Sequence, residues 1–226
     1  MIRTAIMIDG GFYHKRAVSI FGEKSAQDRV AELMSLCYRH LQQNKDKKTS
    51  KEEHHLYRIF YYDCPPMSKK IYHPFLKKQI DYGKTELYLW MTQFINELKK
   101  QRTVALRLGK LAETQAQYKL RHEVLKKLCN GSLGWDELTE TDFELKVDQK
   151  GVDMKIGIDI ASLAYKKQVD QIILISGDSD FVPAAKLARR EGIDFILDPM
   201  WATIKPDLFE HIDGLMSKCP KPQYAD

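Results

Sequence analysis

The stretch Ile172-Ile173-Leu174-Ile175-Ser176-Gly177-Asp178-Ser179-Asp180, continued by Phe181-Val182-Pro183, decides the reading of this chain. Four β-branched or leucine residues in a row, stopped by Ser-Gly, predict a buried strand, and the helical pattern after Pro183 puts Asp178 and Asp180 at its carboxyl end. Ligands of open α/β sheets bind at that end. The pattern recurs near the N-terminus, where Ala5-Ile6-Met7-Ile8 runs into Asp9-Gly10-Gly11. A third acidic step, Lys150-Gly151-Val152-Asp153, precedes another helical stretch. Each aspartate alone reads as an ordinary turn or helix-cap residue. Together, Asp9, Asp153, Asp178 and Asp180 suggest a carboxylate cluster suited to a divalent cation.

Working outward, the first strand covers about Arg3 to Asp9, followed by a loop and a helix opening at Ser25, with Val30, Leu33, Met34, Cys37 and Leu41 on its apolar face. Asn44 to His55 is strongly polar and reads as an exposed connection. Leu56 to Tyr62 is an aromatic-rich strand ended by Asp63-Cys64-Pro65-Pro66. A helical pattern fills Met67 to about Gln101, and Thr103 to Leu108 alternates as a third strand. Residues 111–140 are irregular, with a helix-like run from Gln115 to Leu128, before a short strand through Phe143, Leu145 and Val147. The helix from Val152 to Lys167 is apolar nearly all round and is expected to be deeply buried. A strand at 171–175, a helix at 181–190 and a strand at 193–197 then require a parallel sheet, and Ile204, Leu208, His211, Ile212 and Leu215 suggest a closing helix. One domain spanning 1–226 is expected.

With 226 residues, 43% of them hydrophobic, the chain can bury a substantial core. No stretch approaches the roughly 20 apolar residues of a membrane span, and the opening apolar run ends at Asp9, too early for a signal peptide. A cytoplasmic protein is expected. Cys37, Cys64, Cys129 and Cys219 are dispersed without a C-x-x-C pair, so they read as reduced structural thiols rather than a zinc site or a disulfide framework. The formal charge is +5, and setting the four aspartates aside leaves +9 on the rest. A basic body around an acidic pocket suits a polyanionic substrate handled through metal; lysines scattered on solvated helix faces are the plainer reading.

The segments Ile8-Asp9-Gly10-Gly11, Phe60-Tyr61-Tyr62-Asp63 with Pro65-Pro66, Lys150-Gly151-Val152-Asp153 and Ser176-Gly177-Asp178-Ser179-Asp180-Phe181, in this order, resemble the NYN domain family (LabA/DUF88-like), a branch of the PIN-like nuclease superfamily. The resemblance spans nearly the whole chain. It implies a PIN-like (Rossmann-like) three-layer α/β/α sandwich around a mostly parallel sheet, with the 67–101 helices as an elaboration after the second strand. It also implies a metal-dependent ribonuclease site in which Asp9, Asp153, Asp178 and Asp180 take the acidic positions. The chain departs from the pattern at Gly11-Phe12-Tyr13, where many relatives carry an Asn.

Mg²⁺ or Mn²⁺ takes oxygen ligands and keeps several waters, so a few carboxylates suffice, and phosphodiester hydrolysis is the chemistry such a site serves. Asp9 and Asp178 are the first choices as direct ligands. Asp159, Ser176 and Ser179 are further candidates, although Asp159 stands off the Asp153 face of its helix and serines in such turns usually bond to backbone. Lys110, Lys150, Lys155, Arg189 and Arg190 are the candidate nucleic-acid contacts, with single-stranded RNA as the expected partner and self-association left open. Tyr13, Tyr57, Tyr61, Tyr62 and Trp201 could stack bases, though strand aromatics are more often core. The competing reading is a non-catalytic nucleic-acid-binding or regulatory module that retains the fold. A haloacid-dehalogenase-like phosphatase is excluded by Gly11, where its chemistry needs a second Asp.

Overall fold

A computed structural model describes residues 1–42 and 53–222. Most of the expected polar connection, residues 44–52, lies outside the described residues. The chain forms two compact units: residues 1–64, 93–109 and 151–226 make up the first, residues 65–92 and 110–150 the second.

The first unit opens with β1 (Ile2–Asp9), whose central residues are fully buried. Helix α1 (Gly10–Phe21) follows at once, where the sequence suggested a loop. The Gly10-Gly11 pair is no breaker here, because Asp9 acts as N-cap and accepts the Phe12 N–H at 3.2 Å. Helix α2 (Ala26–Leu41) starts at the predicted Ser25 cap, which accepts the Asp28 N–H at 3.1 Å. Strand β2 (His54–Asp63) completes the first crossover.

The second unit begins with β3 (Lys70–His73) and β4 (Lys78–Asp81), an antiparallel hairpin. The helical pattern expected from Met67 therefore holds only for α3 (Glu86–Lys99), whose last turns belong to the first unit. Lysines and aromatics at 68–85 mimic a helical period, but the ring of His73 packs on Tyr118 at 4.0 Å, which favours extended backbone. Strand β5 (Val104–Leu108) returns to the first unit. Back in the second, β6 (Lys110–Leu111), β7 (Gln117–Leu120), helix α4 (His122–Cys129), β8 (Phe143–Lys146) and β9 (Gln149–Lys150) give the antiparallel pairs β7/β8 and β6/β9.

Helix α5 (Val152–Tyr165) begins after Gly151, whose φ of 82° suits glycine. It is not buried all round: Val152, Ile156, Ile160 and Leu163 pack inward, whereas Met154 is 70% and Ile158 59% exposed. Strand β10 (Gln171–Ile175) is buried along its whole length, as its unbroken apolar run requires. Then come α6 (Val182–Arg190), β11 (Asp194–Asp198), the single turn α7 (Pro206–Phe209) and β12 (Gly214–Leu215). The closing helix is thus one turn, and its last expected residue, Leu215, lies in a sixth strand.

Among the described residues the six strands of the first unit run parallel in the order β12-β11-β10-β1-β2-β5. The chain winds from β1 toward β5 and later from β10 toward β12. Right-handed crossovers in these opposite directions put α1, α2 and the end of α3 on one face, and α5 and α6 on the other. The result is a three-layer α/β/α sandwich. Its winding reverses between β1 and β10, and the crevice for a ligand opens beyond their carboxyl ends. On the α2 face, the fully buried His40 Nε2 meets Asp198 Oδ2 at 2.7 Å and ties the helix to β11.

Candidate active site

Asp9 ends β1, and Ser176-Gly177-Asp178 follows β10 directly beside it, because Ile8 pairs with Ile175 in the ladder. The buried Ser176 joins the two strand ends. Its hydroxyl donates to Asp9 Oδ2 at 3.2 Å and accepts the Asp178 N–H at 3.3 Å. Asp178 in turn caps a 3-10 turn at Ser179–Phe181, accepting the Asp180 N–H at 3.0 Å. Asp153 sits in the first turn of α5.

The carboxylates feel one another. Burial, then the charges of Asp153 and Asp178, holds the Asp9 carboxyl above its ordinary range against the hydrogen bonds from Phe12 and Ser176. Burial, then Asp178 and Asp180, raises Asp153. The fold therefore brings Asp9, Asp153, Asp178 and Asp180 to one edge of the sheet. Among the described residues no three His, Cys, Asp or Glu side chains stand close enough to hold a single ion directly. The donor set is nevertheless all oxygen, which fits a hard cation that keeps several of its waters and takes few direct protein ligands. At Gly11 an added Cβ would stand 3.7 Å from Asp9 Oδ1, so a side chain there would begin beside this carboxylate.

Asp63, at the end of β2, was not among the sequence candidates, yet it lies at the same edge. Its Oδ1 accepts the Cys64 N–H at 2.7 Å and its Oδ2 accepts the Tyr61 hydroxyl at 3.0 Å. His14 Nε2, on α1, reaches the same hydroxyl at 2.8 Å. Burial pushes Asp63 up to about 6, with Asp9 adding to the rise, and burial lowers His14 to about 4. Gly10 is required here, since a Cβ would meet Asp63 Oδ2 at 2.5 Å and the Tyr62 carbonyl at 2.7 Å. An aspartate separated by one residue from two prolines reads as a turn; only the close approach of α1 brings it beside Asp9.

Asp159 is bound elsewhere: its Oδ2 accepts from the Tyr62 hydroxyl at 2.9 Å and from Arg107 Nε at 3.0 Å. Ser179 Oγ accepts from the Lys205 ammonium at 3.1 Å. Lys155 is exposed, one turn into α5. Arg189 and Arg190 end α6, which runs back from the acidic turn, so the structure does not bring them to the carboxylates. Arg189 instead donates to Asp213 Oδ1 at 2.8 Å and to the Glu210 carbonyl at 3.2 Å. Lys110 and Lys150 face each other across the β6/β9 pair of the second unit. Of the aromatic candidates Tyr13, Tyr61 and Tyr62 are fully buried, whereas Trp201 is 42% exposed. The four cysteines are free thiols, and among the described residues no helix is long and apolar enough to cross a membrane.

Comparison with known proteins adds three findings. A solved structure from Vibrio parahaemolyticus RIMD 2210633, of a protein of unknown function, aligns over 96% of this chain and 93% of its own, with a TM-score of 0.48 and 13% identity. No match to a curated protein was found. The NYN domain model matches residues 77–205, which include Asp153, Asp178 and Asp180 and leave Asp9 outside. The match covers more than half of the sequence, and with it the chain belongs to the NYN domain family, a family of PIN-like nuclease domains.

Proposed function

We propose that the protein is a metal-dependent nuclease that hydrolyses phosphodiester bonds in RNA, with single strands as substrate. The observation that carries this reading is the Asp9–Ser176–Asp178 linkage at the point where the sheet reverses its winding. Asp9 and Asp178 would hold Mg²⁺ or Mn²⁺, with Asp153 and Asp180 reaching it through water. A bound divalent ion supplies charge neutralisation on the phosphate and activation of water for attack. The chain's own residues orient that chemistry: Ser176 and the Phe12 N–H fix Asp9, and the Asp180 N–H fixes Asp178. Asp153, in the first turn of α5, or Asp180, in the turn after β10, would take the proton from the attacking water. The free thiols fit a reducing, cytoplasmic setting.

The test is cleavage of end-labelled single-stranded RNA by highly purified protein with Mn²⁺, Mg²⁺ or chelator. Activity should need the ion and fall at least about a hundredfold in Asp9→Asn and Asp178→Asn. Wild-type rates in both variants would sink the assignment. The second reading, a non-catalytic RNA-binding module, is favoured by the spacing of the carboxylates, too wide among the described residues for three to share one ion directly. RNA binding without cleavage under every ion would establish it.

A further inference from the structure

The segment between β11 and α7, residues 199–205, has no part in the chemistry above, yet it spans the same edge of the sheet. Its two ends are tied to α1, which Asp9 caps, and to the turn that holds Asp178 and Asp180. At one end the Met200 carbonyl accepts from Arg16 Nε at 3.2 Å and Nη2 at 2.7 Å, and Arg16 lies on α1, two turns beyond Asp9. At the other, the Lys205 ammonium donates to Ser179, between Asp178 and Asp180.

The backbone between them is held in an unfavourable shape. Met200 and Trp201 are successive non-glycine residues with left-handed φ angles of 46° and 63°. Such angles persist only where surroundings impose them, and they cluster at ligand sites. Here the Met200 N–H is bonded to Asp198 Oδ1 at 2.7 Å and the Trp201 N–H to Ser217 Oγ at 3.0 Å, while the Met200 side chain is fully buried. The Trp201 ring, by contrast, is 42% exposed. Its indole N–H is already spent on the Cys219 carbonyl at 2.9 Å, which fixes the ring in place. The Lys221 ammonium lies 5.8 Å from its centroid.

Lys205 is the complementary half. It lies beside the acidic turn but makes no ion pair with Asp178 or Asp180, and among the described residues its hydrogen bond goes to a neutral hydroxyl. Its charge is therefore available to an incoming anion.

We propose that residues 201–205 form the substrate-binding wall of the site, with an unpaired base stacked on Trp201 and a phosphate of the same strand at Lys205. This rests on the nuclease reading and narrows it to single strands, because a base within a duplex cannot offer its face to a protein ring.

The experiment measures binding of a labelled oligo(U) of about twelve nucleotides, with Ca²⁺ in place of Mn²⁺ and its integrity checked on a gel, as a function of salt. Trp201→Ala should weaken binding about tenfold or more without altering the salt dependence, and Trp201→Phe should restore most of it. Lys205→Gln should reduce the slope of log affinity against log salt by about 0.7, the share of one phosphate, and Lys205→Arg should keep it. Lys205 is exposed, so its variants should melt at the wild-type value; Trp201→Ala loses the indole bond to Cys219, so binding is measured well below its melting temperature. Wild-type affinity in Trp201→Ala and Lys205→Gln would overturn the wall while leaving the nuclease reading intact. Equal loss of duplex binding in Trp201→Ala would overturn the single-strand assignment. Failure of the wild-type protein to bind either form of RNA would overturn this inference and the reading beneath it.

Discussion

Ser176 lends its hydroxyl proton to Asp9 across the β1–β10 seam, at 3.2 Å, and with the same oxygen receives the N–H of Asp178. One buried side chain thus sets the distance between the two leading carboxylates. Ser176→Ala removes both bonds with almost no change in volume. Asp9, already raised by burial and its neighbours, loses a bond that favours its ionised form and rises further. The acid limb of the kcat/KM profile should move to higher pH and the plateau should fall about tenfold. An unchanged profile would show that Ser176 serves only the turn.

Asp63 and His14 titrate in opposite senses. With Asp63 raised to about 6, the folded state holds more protons than the unfolded one above pH 3.8, so this group lowers stability as pH rises toward 6. His14, lowered to about 4, holds fewer below pH 6.5 and lowers stability as pH falls. Between about pH 4 and 6 the two slopes oppose each other. Asp63→Asn keeps the hydrogen-bond chain by donating to Tyr61, which then donates to His14. It should stabilise the protein at pH 7.5 by up to about 3 kcal/mol, the cost of ionising a carboxyl raised from 3.8 to about 6, and make acid destabilisation steeper. Urea melts at several pH values read this directly, and parallel curves for both proteins would contradict it.

The carboxylate cluster costs stability when no cation is present. Asp178→Asn can keep its cap through the side-chain oxygen while relieving repulsion on Asp9 and Asp153. In chelator it should be as stable as the wild type or more so, by about 1 kcal/mol. In millimolar-range Mn²⁺ the wild type should gain stability with the logarithm of metal concentration, and the variant should lose most of that gain. Equal metal responses in thermal melts of the two proteins would refute the cluster.

Asp159 gives the converse. It holds Tyr62 and Arg107, so Asp159→Ala leaves the buried tyrosine hydroxyl without an acceptor and should cost roughly 1–3 kcal/mol. The ion pair with the partly exposed Arg107 adds little. Cleavage by the folded variant should stay within about threefold of wild type. A hundredfold loss would place Asp159 in the active site.

The strands β1, β2, β5, β10 and β11, their parallel arrangement and the four aspartates at strand ends and helix starts were all legible in the order of residues alone. Unbroken apolar runs such as Ile172–Ile175 admit only a buried strand when a turn follows so soon, and period, length and charge are local properties. The missed parts depend on neighbours remote in the chain. Gly10-Gly11 looked like a loop because a helix cap and a close approach to Asp63 leave no local trace. The β3/β4 hairpin was masked by a helical period that cross-strand pairing overrides, and the exposed Met154 and Ile158 of α5 by a uniform apolar run. Asp63, Ser176 and Lys205 acquire their roles only because the parallel ladder aligns strand ends that lie far apart in the chain. Their spacing along it says nothing of the few ångströms between them, and that distance is set by the packing of helices on a twisted sheet.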